Sequence, residues 1–224
     1  VMGMRWLNLI VVVLTGAVAS ASFGPVFGGW PGYWAAGGGL AVGLLVAVIS
    51  AWRRWGVLNT AALGLAGYLG FVGVFALPQT TIAGFLPSLE TLARGGLLIF
   101  QAWRDLLTVA IPASSFSGPA VVPFLTGLVC AIVAGRLVLL ARHYLWAILP
   151  MGAFLLVGVL WGTAKAPLAL PLGIIFAVTV LVWGAVRQGS ARRAVSSELG
   201  VEIAKINPVR RVGAGAAVLA LAIA

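Results

Sequence analysis

The side chains able to do acid–base, nucleophilic or metal chemistry are few and scattered. Among 224 residues there are four carboxylates, Glu90, Asp105, Glu198 and Glu202, one histidine, His143, and one cysteine, Cys130. A cysteine or serine nucleophile needs a base within hydrogen-bond reach and a third group to orient that base. His143 stands in a short Arg142-His143-Tyr144 turn, far from Cys130 along the chain and from every carboxylate. No Cys-His or Ser-His-Asp site assembles from these residues on one face of a membrane. Metal ligands do not cluster, and the glycine runs lack the strand-then-helix setting of nucleotide-binding loops. A single cysteine excludes an intrachain disulfide, and in the middle of an apolar run Cys130 reads as a small filler. No catalytic, metal-binding or cofactor-binding residue is assigned, and no cofactor is expected.

Two groupings of charged residues remain. On a helix at about 100° per residue, Glu90, Arg94, Gln101, Arg104, Asp105 and Thr108 fall within a sector about 100° wide. Leu89, Leu92, Ile99, Phe100, Trp103, Leu106 and Leu107 crowd the opposite side. The pattern predicts an amphipathic helix. Pro87 stops any helix from upstream, Ser88 caps the new one, and Glu90 sits at its positive end. Pro112 and the Ser114–Pro119 run end it. Glu90, Arg94, Gln101, Arg104 and Asp105 form a possible docking face. Two readings stay open: a helix in the outer interface that offers this face to a partner, or one packed over the bundle with its charges merely solvated. The second grouping, Arg192, Arg193, Lys205, Arg210 and Arg211, suits contact with anionic lipid. It lacks the interleaved aromatics of a nucleic-acid site, so no nucleic-acid partner is expected.

The elements that must position these groups are membrane spans. Sixty-two per cent hydrophobic residues, 8% charged ones and a mean hydropathy of +1.14 exclude a soluble domain. The formal charge of +10 lies beside hydrophobic runs, where headgroups and orientation explain it better than nucleic acid does. Apolar runs of nearly the 20 or so residues a crossing needs lie at about 6–27, 34–51, 57–76, 119–141, 145–162 and 167–186. The expected fold is therefore an all-α polytopic bundle of six full spans with one amphipathic extracytoplasmic helix. It divides into a membrane domain at 1–186, which includes the outer region 77–118, a basic cytoplasmic connector at 187–211, and the start of a truncated seventh span at 212–224.

Sidedness follows from the arginines. With the N-terminus cytoplasmic, Arg5, Arg53, Arg54, Arg136, Arg142 and the basic residues from Arg187 to Arg211 face inward, leaving Arg94, Arg104 and Lys165 outside. The expected location is the cytoplasmic membrane, with the seventh span running outward. All four carboxylates lie outside the predicted hydrocarbon, so the ionisable ligand that a coupled transporter keeps at membrane depth is missing. Arg136 is the one charge inside a span, and it lies close enough to the inner end to snorkel.

Gly39 and Gly43 make a small-xxx-small pair, and Gly64, Gly67, Gly70 and Gly73 recur every third residue. A three-residue period drifts about 60° per step, so the second set should meet more than one neighbour. Internal packing explains both sets better than a dimer seam. Pro150 suggests a kink in the fifth span, whereas Pro123 and Pro171 sit near span starts.

Several stretches together carry a family resemblance: Ala76-Leu77-Pro78-Gln79, Leu86-Pro87-Ser88-Leu89-Glu90-Thr91-Leu92, Trp103-Arg104-Asp105-Leu106-Leu107-Thr108-Val109, Val121-Val122-Pro123-Phe124-Leu125 and Trp161-Gly162-Thr163. In this order they resemble the N-terminal membrane domain of bacterial transglutaminase-like membrane proteins of the TgpA type, and the Ala/Gly/Val/Leu/Arg-rich composition looks actinobacterial. The resemblance implies an extracytoplasmic transglutaminase-like domain with a Cys-His-Asp triad after the membrane domain. Cys130 and His143 are not members of that triad. The implied function is membrane anchoring and positioning of a catalytic domain outside this chain, with the bilayer and that domain as partners. The alternatives are a permease or lipid-handling subunit and a non-catalytic assembly module.

Overall fold

The computed structural model describes residues 2–82, 86–108, 118–140, 144–161 and 169–199. Among them are seven α-helices: α1 (Met2–Ala21), α2 (Trp30–Trp52), α3 (Val57–Ala76), α4 (Leu89–Thr108), α5 (Val121–Leu140), α6 (Ile148–Leu160) and α7 (Ala169–Leu199). A two-residue hairpin, β1 (Thr81–Ile82) and β2 (Leu86–Pro87), links α3 to α4 by antiparallel pairing of Thr81 with Pro87 and Ile82 with Leu86. Among the described residues, five segments are long and apolar enough to cross a membrane: Trp6–Phe27, Trp30–Trp52, Val57–Ala76, Val121–Leu140 and Ala169–Gly189. Large apolar side chains such as Leu45, Phe71 and Leu156 stand exposed on their flanks, an exterior that fits a bilayer and not water.

The chain divides into two compact units, Val1–Gly173 and Ile174–Ala224. In the first, α2 and α5 form the central pair; α3 and α4 lie to one side, and α1 and α6 to the other. Small residues bring the central pair together. A Cβ on Gly39 would strike the Phe124 carbonyl, one on Gly43 would strike that of Leu128, and one on Gly135 would come within 2.6 Å of the Ala47 methyl. Where backbones approach this closely, glycine is required and dispersion replaces the missing hydrophobic drive. Gly64, Gly67 and Gly73 meet Ile132, Val42 and the Thr81/Thr91 pair respectively, while Gly70 faces open space. The third-residue repeat thus serves three neighbours.

The core gathers aromatic and branched side chains around the inner faces of the helices. Phe23, Phe27, Val72, Leu77, Val121 and Phe124 are buried there. Aromatic rings step through it from Trp34 to Phe75 (5.5 Å between centroids), Phe75 to Phe124 (5.8 Å) and Phe124 to Tyr68 (6.0 Å). Offset and tilted pairs at such spacings add to the burial of the rings. Most hydroxyls inside the spans satisfy themselves on their own helix, as Thr15 does on the Val11 carbonyl (2.8 Å), Ser50 on Ala47 (3.0 Å) and Thr126 on Val122 (2.7 Å).

The structure adds to the sequence-based boundaries in three places. The second helix begins at Trp30, not Trp34, because Pro31 occupies the first turn, where its missing N–H costs nothing, and Gly29 reaches φ 109° just ahead of it. The fifth expected span is α-helical for only 13 residues, a rise of about 20 Å, preceded by a four-residue 3-10 turn at Tyr144–Ala147 worth about 8 Å. Pro150 is therefore the third residue of α6, placed like Pro123 in α5, and the expected mid-span kink is replaced by the 3-10 junction. Third, α7 runs unbroken for 31 residues, about 46 Å, so that the expected connector is helical from Arg187 to Leu199. Leu199 is also the last described residue, so the rest of the connector and the expected start of a seventh span lie outside the described residues.

Candidate functional site

Helix α4 is held at its start by a cluster of hydroxyls. The Thr91 N–H donates to Ser88 Oγ (3.1 Å) and the Ser88 N–H donates to Thr91 Oγ1 (3.2 Å), a reciprocal cap with threonine at the position where Glu or Gln is usual. Both hydroxyls also reach back to the Thr80 carbonyl, Ser88 Oγ at 2.7 Å and Thr91 Oγ1 at 2.6 Å. The first turn of α4 is thereby tied to the chain leaving α3. Further along, Tyr68 Oη donates to the Gly95 carbonyl at 2.8 Å, and a Cβ on Gly95 would lie 3.2 Å from Val72. Tyr68 stands eight residues before the end of α3, about 12 Å along its axis, so α4 lies against the side of α3 and does not merely cover its end.

Burial divides α4 into three strips about 120° apart, one more than the hydropathy pattern predicts. Thr91, Gly95 and Ala102 are buried against the bundle. Leu89 and Phe100, on the apolar side of the pattern, are 86% and 83% exposed, with Leu92 beside them. The third strip carries the expected docking residues. Glu90 and Arg94 pair at 2.8 Å with 59% and 55% of their side chains exposed, Gln101 and Arg104 are exposed, and Asp105 is half-buried. Thr108 is the last described residue of α4. Near its far end, Trp103 meets Trp161 edge-on at 5.8 Å, fixing α4 to the end of α6. Small residues make the packed strip because they let backbones approach; in a membrane chain size, and not hydropathy, separates helix-facing from lipid-facing positions.

Arg136 is not a free snorkelling side chain. Its Nη1 donates to Thr60 Oγ1 and its Nη2 to the Trp55 carbonyl at 3.0 Å, joining α5 to the α2–α3 turn. That turn is a Schellman closure: the Trp55 N–H bonds the Ser50 carbonyl (2.9 Å), the Arg54 N–H bonds that of Ala51 (3.2 Å), and Arg54 takes φ 52° where glycine is usual. Arg53 stacks over the Trp52 ring at 5.8 Å. Between α3 and α5 a groove of about 660 Å³ runs from Val57 and Leu140, past Arg136, to Tyr68 and Ile99.

Cys130 is half-buried in α5, packed against the apolar core. His143, Lys165, Lys205, Arg210 and Arg211 lie outside the described residues, as do the side chains of Arg192 and Arg193, whose backbone is part of α7. Among the described residues, no three of His, Cys, Asp and Glu gather as a metal site would require. Sequence reasoning missed Asn8, which is buried in α1 and signalled only by its polarity within an apolar run.

No protein-family model matches this chain, and neither a curated protein nor a solved structure does.

Proposed function

We propose that this chain is the membrane domain of a transglutaminase-like cell-envelope protein of the TgpA type, anchoring an extracytoplasmic catalytic domain and receiving it on the polar strip of α4. The observation that carries the reading is the division of α4 into three strips. One strip is fixed to α3 and α5, a second is apolar and suited to lipid, and the third leaves Glu90, Arg94, Gln101 and Arg104 exposed on a helix already immobilised by Tyr68, Ser88 and Thr91. A rigid polar strip costs little entropy when a partner docks on it. The arginine distribution supports a position for α4 on the outer side, and the Leu86–Leu92 and Trp103–Val109 stretches support the family.

The test is co-expression of a transglutaminase-like domain with the chain and with its Glu90→Gln/Arg94→Gln/Asp105→Asn variant. The proposal expects association and catalytic output to fall together in the variant. Unchanged association and activity would remove it. A second reading, a lipid-handling subunit, draws on the apolar groove between α3 and α5. It predicts lipid transfer between vesicles by the chain alone, which the anchoring reading does not.

A further inference from the structure

The α3–α5 groove has three properties that together define an occupant. Its walls are apolar side chains such as Leu65, Val129, Ile132 and Val133, and its polar positions are Thr60, Tyr68 and Arg136. Tyr68 closes the far end with its hydroxyl already committed to Gly95. The lips are open to the flank of the bundle, with Leu65 52% and Val129 48% exposed, so whatever enters comes from the hydrocarbon. From Val57 to Tyr68 the groove follows α3 for about 16 Å, and one leaflet of a hydrocarbon core about 30 Å thick is about 15 Å deep. Its volume lies in the range of about 300–1,000 Å³ typical of small-ligand sites.

The charge stands at the end where a headgroup would be. Arg136 reaches the Trp55 carbonyl in the α2–α3 turn, beside Trp52, Arg53 and Arg54, a basic and aromatic cluster of the kind found at a membrane interface. A guanidinium has five N–H donors; Thr60 and Trp55 take two of them and orient the fork. No carboxylate lines the groove or pairs with Arg136 among the described residues. The remaining donors suit a phosphodiester, which guanidinium recognises through paired, charge-assisted hydrogen bonds.

We infer that the groove is a binding site for one anionic glycerophospholipid, its phosphate on Arg136 and one acyl chain laid along α3 towards Tyr68. The inference stands independently of the docking role of α4. Native mass spectrometry of the whole chain, released from vesicles of equal phosphatidylglycerol and phosphatidylcholine, reads it directly. The wild-type chain retains phosphatidylglycerol over phosphatidylcholine, and Arg136→Gln lowers that preference roughly tenfold, the loss of about one charge-assisted contact. Because Arg136 also ties α5 to the α2–α3 turn, Val129→Trp and Leu65→Trp provide variants that fill the groove and leave that tie in place; both lose the retained lipid. Equal retention of the two lipids by the wild-type chain, or phosphatidylglycerol retention unchanged in both tryptophan variants, overturns the assignment.

Discussion

The Tyr68 hydroxyl donates to the Gly95 carbonyl at 2.8 Å, joining the interior of α3 to the middle of α4. Tyr68 is buried, and its ring also packs against Phe124, so one residue fixes α4 and floors the α3–α5 groove. Tyr68→Phe keeps the ring and removes the bond. We expect a loss of about 1 kcal/mol, seen as a fall of roughly 2–4 °C in the thermal midpoint in detergent. Tyr68→Ala also opens a cavity and costs about 3–5 kcal/mol. Equal midpoints for the wild type and Tyr68→Phe would contradict the role given to the hydroxyl.

The hydroxyl cluster at the start of α4 acts as a unit. Thr91→Val removes the acceptor for the Ser88 N–H and the donor to Thr80, and Ser88→Ala removes the cap of the Thr91 N–H. Each costs about 1 kcal/mol locally, read as faster amide exchange over residues 89–92. The double variant costs less than the sum of the two, since the partners are shared.

Glycine positions separate by what a side chain would meet. Gly43→Val drives a branched side chain into the α5 backbone at Leu128 and should abolish a monodisperse species in size-exclusion chromatography. Gly70→Ala enters open space and replaces the poorer helix former, so it is neutral or stabilises by up to about 1 kcal/mol. A folded Gly43→Val with the wild-type midpoint would show that α2 and α5 do not cross as described.

Arg54 holds a left-handed conformation that glycine adopts without steric strain. Arg54→Gly should raise stability by about 1 kcal/mol while keeping the Trp55 carbonyl aimed at Arg136. A lowered midpoint would mean that the Arg54 side chain contributes more than its backbone costs.

The glycine repeats, the α3 limits at Val57 and Ala76, and the Ser88 cap were legible in the sequence because each is set by local chemistry. The start of α2 at Trp30 is not legible from apolar runs alone, since Pro31 and Gly32 interrupt the run although proline is tolerated in a first helical turn. The α7 helix outruns its apolar stretch because nothing in charged residues such as Arg187 or Glu198 ends a helix once it leaves hydrocarbon. For α4, hydropathy finds the polar strip and cannot divide the rest, since exposed Phe100 and bundle-facing Ala102 are both apolar. The staple from Arg136 to Thr60 and Trp55 joins residues about eighty positions apart, beyond any local signal.

Glu90 and Arg94 form an exposed pair, worth at most about 1 kcal/mol, so Glu90→Gln/Arg94→Gln should leave the thermal midpoint nearly unchanged. Any loss of association in that variant then reports on the surface and not on the fold.

The most direct measurement places a photo-crosslinking amino acid at Gln101 or at Phe100 in cells that also carry a transglutaminase-like domain. Adducts to that domain are expected from Gln101, and lipid adducts from Phe100. Protein adducts from Phe100 with none from Gln101 would contradict that expectation.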